Sequence, residues 1–371
     1  MVEVFIRDRV SDETTSANAG ILRIGKVSAA LPNKFATTAE LNATRMVGTK
    51  DALPGEVVVS AKLMYPDSLK KILKEDVPLR DFARRLSREA GGFEDVARVL
   101  LLIFKGEASY AETRDLRTLL DLQHFADMDV FTVQQSSEMS PEDFASLLRF
   151  AHRWMDQKGI DKPIMPVVRA SETQREFELF SAPAVKSKAR LLGVDMRGGF
   201  HYYALRAIEK IKQKNPGMWI HAFQVPPKIR FARHMLPSSQ GMLMPYFGVD
   251  SYSRWVVPPP PVPLTKDKIN VFDKSGWGVF KRKEWTGLHG KKLTCTCPMC
   301  KGQNLDGFYT GKVLTVLSRS KVHDHYAQQD ELKKASESIR KHEYSRLIKA
   351  RKYANMFVGE LKKSLKAEMK S

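Results

Sequence analysis

One run of six residues, Cys295-Thr-Cys297-Pro-Met-Cys300, holds every cysteine of this 371-residue chain and constrains its fold more than any other feature. An odd, crowded set of thiols is a poor disulfide framework and a good metal site. Cys297 and Cys300 form a CxxC turn that lets two thiolates grip one ion, and Cys295 adds a third ligand from the same loop. The fourth ligand must come from elsewhere, and His323 and His325 lie at the right distance, with 22 residues between Cys300 and His323. A closed Cys3His set leaves no position for water. The spacing therefore predicts a structural Zn2+ that pins the following basic helix onto the body of the protein.

Upstream, short apolar runs alternate with amphipathic stretches. The runs cover residues 26–32, 56–64, 99–104, 129–135, 163–170, 193–199, 218–225 and 242–251. The clearest helix is PEDFASLLRFAHRWMDQKG, with Ser140 as N-cap, Pro141 in the first turn and Gly159 as the stop. Residues 201–217 form another, ending in Asn-Pro-Gly. Strands that alternate with helices predict parallel pairing through helical crossovers. Eight of them fit an α/β fold, a (β/α)8 TIM-like barrel over residues 1–257. An open doubly wound sheet is the alternative. Residues 258–371 then make a zinc-binding lobe with basic C-terminal helices, entered through the proline run Pro258 to Pro261.

The formal charge is +19, which draws in polyanions, nucleic acid first among them. Lys333, Lys334, Arg340, Lys341, Arg346, Lys349, Arg351 and Lys352 supply cations near the zinc lobe, and Trp255, Trp277 and Trp285 are candidates to stack or wedge. No window approaches the ~18 apolar residues of a membrane span. The charged start, MVEVFIRDRV, lacks a signal-peptide core. The expectation is a cytoplasmic protein with no membrane partner, a homodimer being allowed.

The order barrel, CxCxxC, 22 residues, His, basic helix resembles the tRNA-guanine transglycosylase superfamily. That resemblance implies a TIM barrel with zinc inserted after the eighth strand, and it selects His323 over His325. KFATTAEL (34–41) resembles the family's first barrel helix. Gly198-Gly199 resembles the pair that lines the base pocket. Phe247-Gly-Val-Asp250-Ser resembles the strand that ends in the aspartate nucleophile. The chain departs from the pattern at several places. Ser253 stands where the family's second aspartate attacks the sugar. Val133-Gln134-Gln135 replaces the acid that reads the base, and Arg169 replaces a glutamine after strand five. The short, divergent chain resembles the phage and bacterial DNA-guanine transglycosylases, which would place it in a host cytoplasm if phage-encoded.

What this implies is exchange of guanine for a 7-deazaguanine (preQ0-like) base, with DNA favoured over tRNA. Such exchange needs a carboxylate below the anomeric carbon to hold a covalent sugar ester. Asp250 is the expected nucleophile, unless it caps a turn through Ser251. Glu107 and Asp67 are candidates for the helper acid or base. Gln134 would pair with the base edge, and Gly198 and Gly199 would offer backbone amides. Arg169 would bind a phosphate or the heterocycle carbonyl, or pair with Glu172. A zinc-stabilised nucleic-acid-binding protein without chemistry is the reading of a different class.

Overall fold

The computed structural model describes residues 4–49, 53, 56–90, 96–105, 108–110, 112–171, 173–186, 190–256 and 263–368. Glu107, Glu172 and the Pro258 to Pro261 run, with the expected domain boundary beside it, lie outside the described residues. The chain opens with a three-stranded antiparallel sheet, β1 (Val4–Ser11), β2 (Asn18–Ile24) and β3 (Val27–Leu31). Eight parallel strands follow: β4 (Asn33–Thr37), β5 (Val57–Met64), β6 (Ala97–Phe104), β7 (Phe131–Gln134), β8 (Ile164–Arg169), β9 (Leu191–Asp195), β10 (Trp219–Val225) and β11 (Ser251–Arg254). Sequential neighbours pair, and β11 returns to β4, so the sheet is a (β/α)8 barrel.

The one irregular seam lies between β6 and β7, which share a single backbone bridge, Val99 with Val130. Side chains replace the missing ladder. Asp129 accepts from Arg98 N at 2.8 Å, and Thr132 Oγ1 donates to Leu100 O at 2.8 Å. With its amide turned so that both ends are satisfied, Gln134 accepts from Leu102 N at 2.9 Å and donates to Leu102 O at 2.5 Å. Buried backbone groups must be paired, and here amide and hydroxyl stand in for peptide groups.

Outside the barrel run α1 (Thr38–Val47), α2 (Pro66–Lys74), α3 (Asp76–Ala90), α4 (Thr113–Phe125), α5 (Pro141–Lys158), α6 (Gln174–Lys186) and α7 (Tyr202–Lys214), with the short α8 (Gln240–Leu243) before β11. α5 starts and stops where the sequence predicts: Ser140 and Asp143 form a capping box, and Gly159 closes the helix in the left-handed region. The lobe contains β12 (Asn270–Asp273), β13 (Gly278–Lys281), α9 (Arg282–His289), α10 (Leu305–Phe308), α11 (Val313–Arg340), α12 (Tyr344–Ala350) and α13 (Lys352–Glu368). α11 packs against α1 and β4, in the place where a helix following β11 would sit. No helix among the described residues is long and apolar enough to cross a membrane.

Two of the expected strands move. Residues 26–32 form β3 of the antiparallel sheet, and the first barrel strand is the next segment, so Lys34 to Thr37 of KFATTAEL are strand rather than helix. Residues 242–247 are helical turns. Met242, Leu243, Met244 and Phe247 are all buried, and a short helix apolar on every side cannot be told from a buried strand by pattern. Pro245 starts the 3-10 turn and Gly248, at φ +85°, ends it.

The second shift changes the reading of Asp250. It does not end a strand; β11 begins one residue after it. Asp250 therefore lies at the N-terminal end of the barrel, where its carbonyl accepts from Asn33 N at 3.0 Å. The antiparallel sheet covers that end: Val4, Leu22, Ile24 and Leu31 share one apolar cluster with the interior residues Phe35, Val57, Val99 and Trp219. The Asp250 carboxylate is buried, paired with Lys212 Nζ at 2.6 Å, and accepts from Ile220 N at 2.8 Å. Burial raises its pKa and lowers that of Lys212, and the pairing offsets both in part. This is an internal tie between α7 and the floor of the barrel.

Removing one partner of such a pair strands the other charge in a low-dielectric interior. Lys212→Met should cost about 3–5 kcal/mol of folding free energy in urea unfolding. A loss below about 1 kcal/mol would show that the pair does not hold the floor.

Candidate active site and metal centre

The C-terminal ends of parallel barrel strands face a common mouth, and in this fold active sites sit there. Here the mouth is a cavity of about 330 Å³. β6 contributes Phe104 and, just beyond it, Lys105; β7 contributes Gln134, followed by Gln135 and Ser136. Arg169 ends β8 and Asp195 ends β9, with Arg197 two residues on. Gln224 of β10 and Trp255, just past β11, complete the wall. Among the described residues that line it, Asp195 is the one carboxylate, facing three cations.

Asp195 is fixed from below. Its Oδ1 accepts from Arg197 N at 2.9 Å. Burial raises its pKa above the ordinary carboxylate value, a shift limited by the Arg197 amide and by the charges of Arg169, Arg197 and Lys105. Arg169 is half-buried, and its pKa is lowered by burial and by Arg197 beside it. Gln135 Oε1 accepts from Arg169 N at 2.9 Å and sets the turn after β8. Arg197 and Gln224 both have positive φ, 51° and 58°, conformations that cost energy and gather at functional sites.

The structure brings some expected residues to the mouth and gives others different work. Arg169 is there. Gln134 lines the cavity, but its amide is spent on Leu102 at the barrel seam, so it is not free to read a base edge. Gly198 and Gly199 lie just beyond the mouth, and both N–H groups are bonded internally, to Gln224 O at 3.1 Å and Met196 O at 2.8 Å. Gly198 instead makes room: at φ +75°, a Cβ there would lie 2.6 Å from the Trp255 ring. Asp67 is in the exposed first turn of α2, outside the cavity. Ser253, where the resemblance would place an attacking aspartate, is buried and bonded to His221 Nε2 at 3.2 Å. Burial holds that histidine neutral, with a pKa of about 3. Asp195 was missed from sequence, although it lies inside the run 193–199 read as a strand. A carboxylate closing such a run was the available signal.

Of the three tryptophans expected to stack, two are core. Trp277 donates to Glu331 at 2.8 Å and Trp285 to Lys292 O at 3.1 Å, both fully buried. Trp255 alone of the three faces a cavity.

The cysteine cluster forms as expected. The ligand atoms of Cys295, Cys297, Cys300 and His323 all lie within 4.8 Å of one another, buried. His323 Nδ1 is 3.4 Å from Cys297 Sγ and 3.2 Å from Cys300 Sγ. Its other nitrogen, Nε2, donates to Phe272 O at 2.8 Å, which fixes the tautomer and leaves Nδ1 for an ion. His325 is excluded as a ligand: its Nδ1 faces Glu40, 3.9 Å away. Three sulfurs and one imidazole nitrogen converging on one point fit a tetrahedral soft-metal site, and the cluster could hold zinc.

The fold and these two sites define a (β/α)8 barrel with a Cys3His C-terminal lobe. No family model and no curated protein matches the sequence. Among solved structures the chain is similar to 2,3-dimethylmalate lyase, a PEP mutase/isocitrate lyase superfamily member. There the identity is 12% over 60% of this chain and 76% of that one, with a TM-score of 0.38. It is similar to the multifunctional pyruvate carboxylase of Rhizobium etli at 12% identity over 87% of this chain, with a TM-score of 0.40. The chain spans only 33% of that carboxylase.

Metal analysis of the purified protein should give one zinc per chain. Cys297→Ser should lower that content and cost several kcal/mol of stability, since structural zinc sites contribute roughly 10 kcal/mol or more of binding. A folded, metal-free preparation as stable as the loaded one would contradict the assignment.

Proposed function

We propose that this chain is an enzyme that exchanges guanine for a 7-deazaguanine base in DNA, with Asp195 as the attacking carboxylate. The observation that carries the reading is the mouth itself, where, among the described residues, one carboxylate faces three cations beside the Trp255 wall. The Cys3His lobe following β11, the resemblance of its motif and the +19 charge support the same substrate class.

A target nucleotide turns out of the duplex and its base enters the mouth against Trp255. Lys105, Arg169 and Arg197 hold its phosphates and sugar in place. An Asp195 oxygen forms a bond to C1′ as the C1′–N9 bond breaks, and the departing purine takes a proton at N9 from solvent water, whose hydroxide takes up the N9 proton that the incoming base later loses. The incoming base then loses its N9 proton, attacks C1′ and releases the carboxylate. Gln135, whose carbonyl oxygen is already used on Arg169 N, presents its amide NH2 as a donor at the cavity wall.

Asp195→Asn keeps the shape but removes the negative charge. Incorporation of labelled guanine into duplex DNA should fall by about three orders of magnitude or more, with DNA affinity retained. Wild-type label appearing in tRNA and not in DNA would move the substrate to tRNA. No label in either would leave a binding protein. The pH profile is a separate check. Attack needs ionised Asp195, so kcat/KM should rise with pH through a value above the ordinary carboxylate range. Arg169 lowers that value, so Arg169→Gln should move the acid limb to higher pH. An unmoved limb would separate Asp195 from the titrating group.

A further inference from the structure

β5 is followed by two helices, α2 and α3, and these leave a groove of about 560 Å³ that the barrel mouth does not use. Its floor includes Met64 and Phe82, and its walls carry Lys71 of α2 and Arg84, Arg85 and Arg88 of α3. All four cations are exposed. Among the described residues, the one carboxylate lining the groove, Asp81, pairs with Arg84 at 3.3 Å. Among the described residues, Lys71, Arg85 and Arg88 have no carboxylate partner. Arg84 and Arg88 share one face of α3, about 6 Å apart along its axis. The Arg85 guanidinium lies 5.5 Å from the centre of the Phe82 ring, which limits its freedom before any ligand arrives.

The groove and the mouth are lined from neighbouring strands, β5 and β6. Met64, on its floor, pairs in register with Phe104, which lines the mouth. Adjacent strands lie about 4.8 Å apart, so the two concavities adjoin at the C-terminal ends of β5 and β6. A solvated helix face would also expose arginines, but it would not converge them with a lysine from a second helix around one concavity.

The geometry points to the α2–α3 groove as the track for the DNA strand that flanks the nucleotide in the mouth, with Lys71, Arg84, Arg85 and Arg88 on its phosphates. This rests on the proposed function, which supplies DNA as the partner. It adds a contact surface far in sequence from the basic lobe.

The test uses the full chain and a fluorescent duplex of about 20 base pairs, with anisotropy titrations between roughly 50 and 200 mM salt. Arg84→Gln, Arg85→Gln and Arg88→Gln are combined in one variant. A control variant removes three exposed charges elsewhere, through Arg153→Gln, Lys158→Gln and Lys214→Gln. The groove variant should bind about tenfold more weakly near 100 mM salt, and its slope of log K against log salt should fall by about 2–3. The control should change less than twofold, and replacing the three arginines by lysine should restore binding. Thermal unfolding checks that each variant is folded. Equal behaviour of groove and control variants, or an unchanged slope, overturns the groove while leaving the proposed function intact. If the wild-type chain itself fails to bind DNA, the groove and the DNA substrate fall together.

Discussion

Two and a half turns of α11 hold this molecule together. His323 joins the thiols. Asp324 binds Arg254 at 3.1 Å and accepts from Phe272 N at 3.1 Å. Gln328 accepts from Tyr252 Oη at 3.0 Å, and Gln329 donates to Asn33 and to the carbonyl of Lys34. Glu331 accepts from Trp277 at 2.8 Å and pairs with Arg351 at 2.7 Å. Every one of these α11 side chains is buried. Buried polar groups are costly when unpaired, so the helix has one docking position in which all are satisfied. The metal cluster sits at the start of that row. An ion there would fix the loop of residues 295–300 to a helix that is itself locked to β4 and β11.

A consequence is a barrel with unlike ends. The antiparallel sheet closes the N-terminal end, where Asp250 is tied to Lys212. Among the described residues, the other end is lined by cations, amides and one carboxylate, Asp195. A polar mouth over an apolar interior is tolerated because Asp195 and Arg169 lie close enough to offset each other's charge.

Much of this was legible in the sequence. Six of the eight barrel strands fall where apolar runs predict them, because a strand covered on both faces needs continuous apolar residues. The Cys3His cluster was legible because metal geometry imposes a spacing on residues that could hold an ion. The first and eighth strands were not. β3, Val-Ser-Ala-Ala-Leu, carries the apolar run, whereas β4, Asn-Lys-Phe-Ala-Thr, is mostly polar and enters the barrel because Glu40 and Gln329 pair its buried Lys34 and Asn33. At residues 242–247 an all-round apolar helix mimics a strand, and that single misreading put Asp250 at the wrong end. Gln134 and the Gly198-Gly199 pair show a different limit: position along the chain was read correctly, but hydrogen-bond partners across the barrel decide what a side chain or amide is free to do.

The central claim is that the reacting carboxylate is at the mouth, on Asp195, and not on the last strand. The most direct measurement is to denature the protein during turnover with a guanine-containing oligonucleotide, digest both, and locate the sugar adduct by mass spectrometry. The account predicts a modified peptide that contains Asp195. An adduct on the segment carrying Asp250 or Ser253 would contradict it.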